Sequence, residues 1–373
     1  MVTEQIDTVV IGAGQAGLAV GYYLAQQGRP FVLLEENARV GDSWRQRWDS
    51  LRLFTAARFD ELPGSPYPGA PWSFPTREEF SDYLENYATE HHLAIRLRTR
   101  VRRLARHGSG YIVEIDGGRL LADHVIVAAG FDRLPRTPDF AVDLGPGITQ
   151  LHSSGYRNAD QLPDGDVLVV GAGNSGADIA LDLSGTHQVH LSGRHPGQIP
   201  FDIDRPSSRI VSRVVFAAFG HVLTTRTPMG RRARAEALAH SGPLIRVKSE
   251  DLAAAGVHRV PRVTGVREGR PELQDGSTLP VASVIWCTGY RPDRSWIDLP
   301  VFGTDDLPAQ ERGVCPSHPG LYFLGELFQY SLASSMIHGV VRDARYVARH
   351  LDKLDPVAPV APVAAREHSG LTT

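Results

Sequence analysis

The chain has 373 residues, of which 42% are hydrophobic and 22% charged. That is the make-up of an ordinary folded protein of about two 150-residue domains, and it excludes a disordered chain. With 39 basic and 42 acidic residues the formal charge is −3, so no polybasic field exists to hold nucleic acid. The two cysteines, Cys287 and Cys315, form no CxxC pair, disulfide framework or zinc set, and they fit a reducing, cytoplasmic setting.

In chain order, residues 7–11 (Asp-Thr-Val-Val-Ile) read as a buried strand. The turn Gly12-Ala-Gly-Gln-Ala-Gly17 follows at once, then a helix over 18–26 that Gly28 stops, then a strand over 31–34 that ends in Glu35. Residues 95–115 alternate as small antiparallel strands around His107-Gly-Ser-Gly110. Residues 125–130 form a strand ending in Ala129 and Gly130. The opening pattern then repeats: a strand over 166–170, the turn Gly171-Ala-Gly-Asn-Ser-Gly176, a helix over 177–183 and a strand over 188–191. Residues 284–289 and 321–325 are further strands that end in Gly289 and Gly325, and an amphipathic helix is expected over 334–351.

The longest apolar segment, 210–224, is broken by Arg213 and Gly220 and reads as a buried or site-lining helix. No run is long and apolar enough to span a membrane. The Pro/Val/Ala-rich end, 355–373, reads as a mobile tail.

The expected fold is therefore α/β, with two dinucleotide-binding, Rossmann-like domains, one inserted in the other. Residues 1–150 begin the outer domain, 151–288 form the inserted one, and 289–354 complete the outer one.

Each glycine turn lies between a predicted strand and a predicted helix, the context that makes such a fingerprint informative. Gly14 and Gly173 let the backbone approach a pyrophosphate. Gly12 and Gly171 make the tight turns, and Gly17 and Gly176 allow close packing of helix on strand. Gln15, Ala16, Asn174 and Ser175 start the two helices, whose open N–H groups favour phosphate.

Glu35 stands 23 positions after Gly12, where a carboxylate receives a ribose hydroxyl, so the first site takes FAD or NAD(H). Arg194 stands 23 positions after Gly171, where the carboxylate would be. With the Ser192 hydroxyl beside it, this guanidinium suits the 2′-phosphate of NADPH. The alternative is a surface arginine. No catalytic side chain is assigned, no GxSxG elbow is present, and the histidines, His91 and His92 among them, read as surface groups without metal-ligand spacing.

The FAD-type turn with Glu35, the stretch Gly41-Asp-Ser-Trp-Arg-Gln-Arg-Trp-Asp-Ser-Leu-Arg-Leu53, His152-Ser-Ser-Gly-Tyr156, the second turn and Cys287-Thr-Gly-Tyr-Arg-Pro292 together carry a resemblance. The chain resembles the class B flavin-containing monooxygenases of the compact bacterial branch.

The resemblance implies FAD in the outer domain and NADPH in the inserted one. NADPH reduces the flavin, and O2 then forms a C4a-hydroperoxide that oxygenates a small soft nucleophile at N or S. It implies that Ser43, Trp44 and Arg45 lie against FAD, Thr55 and Gln329 near the flavin ring, and Val101 at the adenine. Ala129, Gly130, Gly289 and Gly325 border the cofactors, and the helix from Ser334 aims its N–H groups at the flavin. His152 ties the domains together. Trp48 is read equally as core or as cofactor wall.

Within the family signature only His152 and Tyr156 fit, Pro146 and Ile148 replacing the expected Phe and Gly. The segment Leu53-Phe54-Thr55-Ala56 lacks the Asn that many members place at the flavin. The alternative activity is an NAD(P)H reductase or oxidase that passes electrons to a quinone, a carrier protein or O2. A binding or sensor protein without turnover is the reading from another class.

Overall fold

The computed structural model describes residues 2–130, 134–239, 242–304 and 306–356. The expected tail beyond 356 lies outside these residues.

The chain starts with β1 (Val2–Ile11), α1 (Gln15–Gln26), β2 (Phe31–Leu34), the short α2 (Asp42–Arg45), α3 (Arg77–Glu90), β3 (Ile95–Arg96), β4 (Val101–His107), β5 (Gly110–Ile115) and β6 (Gly118–Val127). After β7 (Leu134–Pro135) come β8 (Thr149–His152), β9 (Val167–Val170), α4 (Asn174–Leu183), β10 (Val189–Ser192), α5 (Ser208–His221), α6 (Pro228–Ala239) and α7 (Ser249–Ala254). Then follow β11 (His258–Val260), β12 (Val263–Arg267), β13 (Arg270–Leu273), β14 (Ser283–Trp286), β15 (Tyr290–Arg291), β16 (Ile297–Asp298), β17 (Leu321–Phe323) and α8 (Ile337–Leu354).

The strands sort into two main sheets. The first has eight, in the order β16-β4-β5-β6-β1-β2-β3 with β17 also on β6. Parallel β1 and β17 flank the inner end of β6, with β2 on the far side of β1, while the outer end of β6, 118–122, pairs antiparallel with β5. Residues Val9 to Ile11 of β1 are buried as the continuous apolar run of a central parallel strand should be. The strand extends further back than residue 7 because Val2 to Ile6 pair with Gly118 to Ala122 at the exposed rim. β4 and β5 form the expected hairpin, closing at His107 opposite Gly110. The second sheet is all parallel, β11-β10-β9-β14-β8.

Three expectations need correction. First, the inserted unit starts earlier than residue 151. Thr149 already pairs with Ser283, and Ala141 and Leu144 pack on Leu168, Val284 and Trp286. Second, α5 is not buried: Ile210 is 72% and Val214 64% exposed, while Phe216 turns inward onto Phe59. Apolar residues ring this helix, yet only one side of it finds a neighbour. Third, Asp355 is pinned. The fully buried Arg29 guanidinium binds Asp7 at 2.9 Å and the Asp355 backbone carbonyl, and His124 Nε2 lies 3.0 Å from the Asp355 carboxylate. Asp7, His124 and Asp355 cluster closely, and Arg29 balances their charge.

Among the described residues no helix is long and apolar enough to cross a membrane.

Candidate cofactor and active site

Both glycine turns are built by close backbone contact. A Cβ at Gly12, whose φ is +104°, would meet the Ala128 carbonyl oxygen at 2.5 Å, and one at Gly17 would meet the Gly12 oxygen at 1.9 Å. The second turn copies this: a Cβ at Gly171 would meet the Cys287 oxygen at 2.2 Å, and one at Gly176 the Gly171 oxygen at 1.8 Å. Gly14 and Gly173 are the N-cap residues of α1 and α4, and neither helix has a side-chain cap. Their first N–H groups are therefore open to an anion.

A cavity of about 550 Å³ lies between the two units, within the size range of small-molecule and cofactor sites. Gly12, Gly14, Gln15 and Ala16 form one wall, and nothing stands within 4 Å of a Cβ built at Gly14. Glu35 lines the same wall. Its carboxylate is fixed by the N–H of Ala13 at 3.0 Å and by the Asn37 backbone and side-chain N–H groups at 3.0 and 2.7 Å. Val101, Ala129, Gly130 and Gly325 also line it.

Ser43 and Trp44 close the cavity from α2. Trp44 donates its indole N–H to Gln15 at 3.4 Å and stands edge-on to Phe80. Trp48 is both wall and core: it is 4% exposed, lines the cavity, and holds a buried indole N–H without a partner. That orphaned donor and the open helix start fit a polar, phosphate-bearing cofactor. The start of α8 faces the cavity through Ser335, Met336 and Ile337, again without a side-chain cap.

Thr55 lines the cavity next to Leu53 and Phe54. It donates to Asp60 at 2.5 Å, and burial, the dominant influence, pushes the Asp60 carboxyl up to about 8.

The second unit contributes Asn174, Ser175 and Asp178 to the same cavity. Asn174 also pins the 243–245 segment, donating to the Pro243 carbonyl and accepting from the Ile245 N–H, both at 2.9 Å. Asp178 pairs with Arg246 at 3.0 Å, and burial outweighs that pair and raises its carboxyl to about 6.

Several expected contacts are made elsewhere. Arg45 points into acids rather than at the cavity: its guanidinium reaches Asp82 at 2.8 Å, Glu85 at 2.9 Å and the Val40 carbonyl at 2.7 Å, tying α2 to α3. Gln329 is buried and turned toward Gly313. It accepts from the Glu326 N–H within its own turn and does not line the cavity. Ser192 is wholly buried, donating to the Pro261 carbonyl at 2.9 Å and accepting from the Val263 N–H at 3.0 Å, so its hydroxyl latches β10 to the next segment and faces no phosphate.

Gly289 does not line the cavity either. Its carbonyl receives the Arg136 N–H and sits 3.0 Å from His152 Nε2. Arg194 is exposed beyond β10 and makes no ion pair among the described residues.

His152 accepts from the Ser154 N–H at Nδ1, so its Nε2–H donates to Gly289. Burial holds it below the usual imidazole range. Its ring meets Tyr290, whose hydroxyl takes a 2.9 Å bond from Arg47, a cavity residue of the first unit. His152 thus links the units as a neutral ring. Tyr156 is fully buried and donates to Asp182 at 2.7 Å.

Arg47 and Asp178 were not singled out from the sequence. Asp178 stands four residues after Asn174 on α4 and so shares its helical face, whereas Arg47 lies just past the end of α2, three residues after Trp44. His91 is no surface group: it packs against Tyr22 and Tyr87 and lies 2.8 Å from the Ser65 hydroxyl. Cys287 and Cys315 are both free, and burial pushes the Cys287 thiol up to about 12. No relay of neighbouring thiols exists.

Similarity to known proteins bears on this site. The chain is 38% identical over 344 residues to the CzcO-like oxidoreductase of Geobacillus kaustophilus, covering 92% of this chain and 97% of that protein. It is 37% identical over 326 residues to indole-3-pyruvate monooxygenase YUCCA1 of Oryza sativa subsp. japonica, covering 78% of each. Its fold matches a flavin-containing monooxygenase from Stenotrophomonas maltophilia with a TM-score of 0.72 at 28% identity, over 94% of this chain and 99% of that one. Bacillithiol disulfide reductase from Staphylococcus aureus shares the fold at 15% identity, with a TM-score of 0.68 over 94% of this chain and 99% of that one. The model of the pyridine nucleotide-disulphide oxidoreductases matches residues 9–325, and the chain, an α/β oxidoreductase with two dinucleotide-binding units, belongs to that family.

Proposed function

We propose that this protein is an FAD- and NADPH-dependent monooxygenase that delivers one oxygen atom of O2 to a nitrogen or sulfur atom of a small substrate. NADPH and a proton are consumed, and the second oxygen leaves as water. One observation carries the reading: a single cavity is bordered by Gly14 and Glu35 of the first dinucleotide unit and by Asn174, Ser175 and Asp178 of the second.

In this reading FAD rests on the first unit. The N–H groups at Gln15 and Ala16 hold its phosphates, Glu35 its ribose, and the backbone at Val101 its adenine. Bound FAD supplies hydride acceptance and O2 activation. Trp48 offers its unpartnered indole N–H, Thr55 a hydroxyl oriented by Asp60, and the uncapped start of α8 a positive partial charge that favours electron-rich groups in the cavity. NADPH rests on the start of α4, with Arg194 at its 2′-phosphate. The reaction belongs in a reducing, cytoplasmic setting, where both thiols stay free.

The test is turnover under labelled O2 with NADPH and a panel of amines and thioethers. One labelled oxygen in the product for each NADPH consumed is expected. If every equivalent of O2 emerges as hydrogen peroxide or stays unused while a quinone is reduced, the protein is a reductase or oxidase instead.

A further inference from the structure

Outside the cofactor cavity, three guanidinium groups converge on one indole. Arg58 lies 5.0 Å, Arg213 5.4 Å and Arg209 5.7 Å from the ring centroid of Trp72. Arg58 comes from the loop that follows Thr55, and the other two come from α5 of the inserted unit. None of the three makes an ion pair or a side-chain hydrogen bond among the described residues, and the buried Nε of Arg58 has no partner. This contrasts with Arg39, Arg45, Arg102 and Arg103, each of which is matched to carboxylates.

Three like charges around one ring repel each other, and the quadrupole of a single indole offsets only a small part of that cost. Water screens the two exposed guanidinium groups, and an anion lying among the three would offset the repulsion that remains.

The surroundings say what that anion is attached to. Trp72 stands 6.0 Å from Phe59, and Phe59 stands 4.5 Å from Phe216 of α5 and 6.2 Å from His338. His338 lies in the first turn of α8, between the cavity residues Ile337 and Val340. Both its ring nitrogens are buried without a partner, and burial with the nearby Arg342 holds it neutral, down to about 4. An aromatic path with a cationic end thus adjoins the helix start that borders the cavity.

We propose that Arg58, Arg209 and Arg213 receive the carboxylate of an apolar organic-acid substrate whose body lies along Trp72, Phe59 and Phe216. This names the substrate class of the monooxygenase reading and rests on that reading for the chemistry done, but not for the binding. Arginine suits the role because its planar fork can meet a carboxylate with two parallel bonds while stacking on an aromatic face.

The experiment is calorimetric titration of the FAD-loaded protein with the thioether acid 3-(phenylthio)propionate, its neutral amide and inorganic phosphate, in the wild type and in the double variant Arg209→Gln/Arg213→Gln. Both positions are exposed on α5, so the variant should keep the fold and the flavin absorbance. The acid is expected to bind at least tenfold more tightly than the amide. The double variant should abolish that preference while leaving the amide and NADPH affinities unchanged. Equal binding of acid and amide, or a preference that survives the double variant, overturns the proposal. So does phosphate that binds as well as the aryl acid, which would mark a plain anion site. An NADPH affinity that falls with the variant overturns it too, as the mark of a cofactor-phosphate site. Selective binding of acids without any oxygenated product would instead remove the monooxygenase reading and leave the binding site standing.

Discussion

The hydroxyl of Thr55, on the cavity wall, donates to the carboxylate of Asp60 across 2.5 Å. Asp60 is fully buried, and its second oxygen has no partner. Burial raises its pKa from the ordinary 3.8 to about 8, the Thr55 bond opposes this, and Glu61 adds to it. Because the folded value lies above the unfolded one, the folded state binds the extra proton between about pH 4 and 8. Stability therefore falls as pH rises through that window, by up to about 1.4 kcal/mol per pH unit. Asp60→Asn removes the dependence. In urea titrations the variant should differ little from wild type at pH 4, gain on it steadily up to pH 8, and gain no more above that. A gap that does not change with pH would mean that the carboxyl titrates normally.

Arg194 and Ser192 should separate cleanly. Arg194→Ala is expected to raise the KM for NADPH by about ten- to a hundredfold, the equivalent of 1.5–3 kcal/mol for a charge-assisted bond, and to leave that for NADH nearly unchanged. Ser192→Ala should keep the preference for NADPH. It strands the Val263 N–H and the Pro261 carbonyl, so a stability loss of about 1–3 kcal/mol should appear in thermal unfolding. Parallel losses for NADPH and NADH in Arg194→Ala would remove Arg194 from the 2′-phosphate.

Glu35→Ala should weaken FAD binding by at least about tenfold, since it removes the proposed ribose acceptor and also frees the Ala13 and Asn37 N–H groups. Flavin retained after gel filtration, read by absorbance, measures this. Full retention would show that the cofactor ribose lies elsewhere.

Arg29→Met leaves Asp7 and Asp355 facing each other without their cation. A stability loss of about 1.5–3 kcal/mol, the worth of a hydrogen bond to a charged group, is expected near pH 7. It should shrink toward pH 3, as the Asp355 carboxyl, which the His124 hydrogen bond and Arg29 hold below its ordinary range, starts to take up its proton. Denaturation curves at the two pH values decide this.

The glycine turns, the strands before them and Glu35 were legible because each is fixed by local geometry: a close backbone approach, a parallel strand buried on both faces, a side chain at a strand end. Ser192 was misread because Val263, 71 residues away in sequence, claims its hydroxyl, and no spacing announces such a partner. Arg45 was misread for the same reason: its acids, Asp82 and Glu85, come from a helix that only the fold brings near. For α5, the sequence announced apolar residues but not which of them would have neighbours. The arginines around Trp72 were hidden because two separate units supply them.

The backbone carbonyls that brace Gly12 and Gly171 belong to Ala128 and Cys287. Ala128 is where the chain departs for the inserted unit, and Cys287 is where it starts back. Each glycine turn is thus seated on the backbone where the chain passes between the units. A change that displaces either crossing point reaches the neighbouring turn directly, because neither Gly12 nor Gly171 leaves room for even a methyl group against its carbonyl.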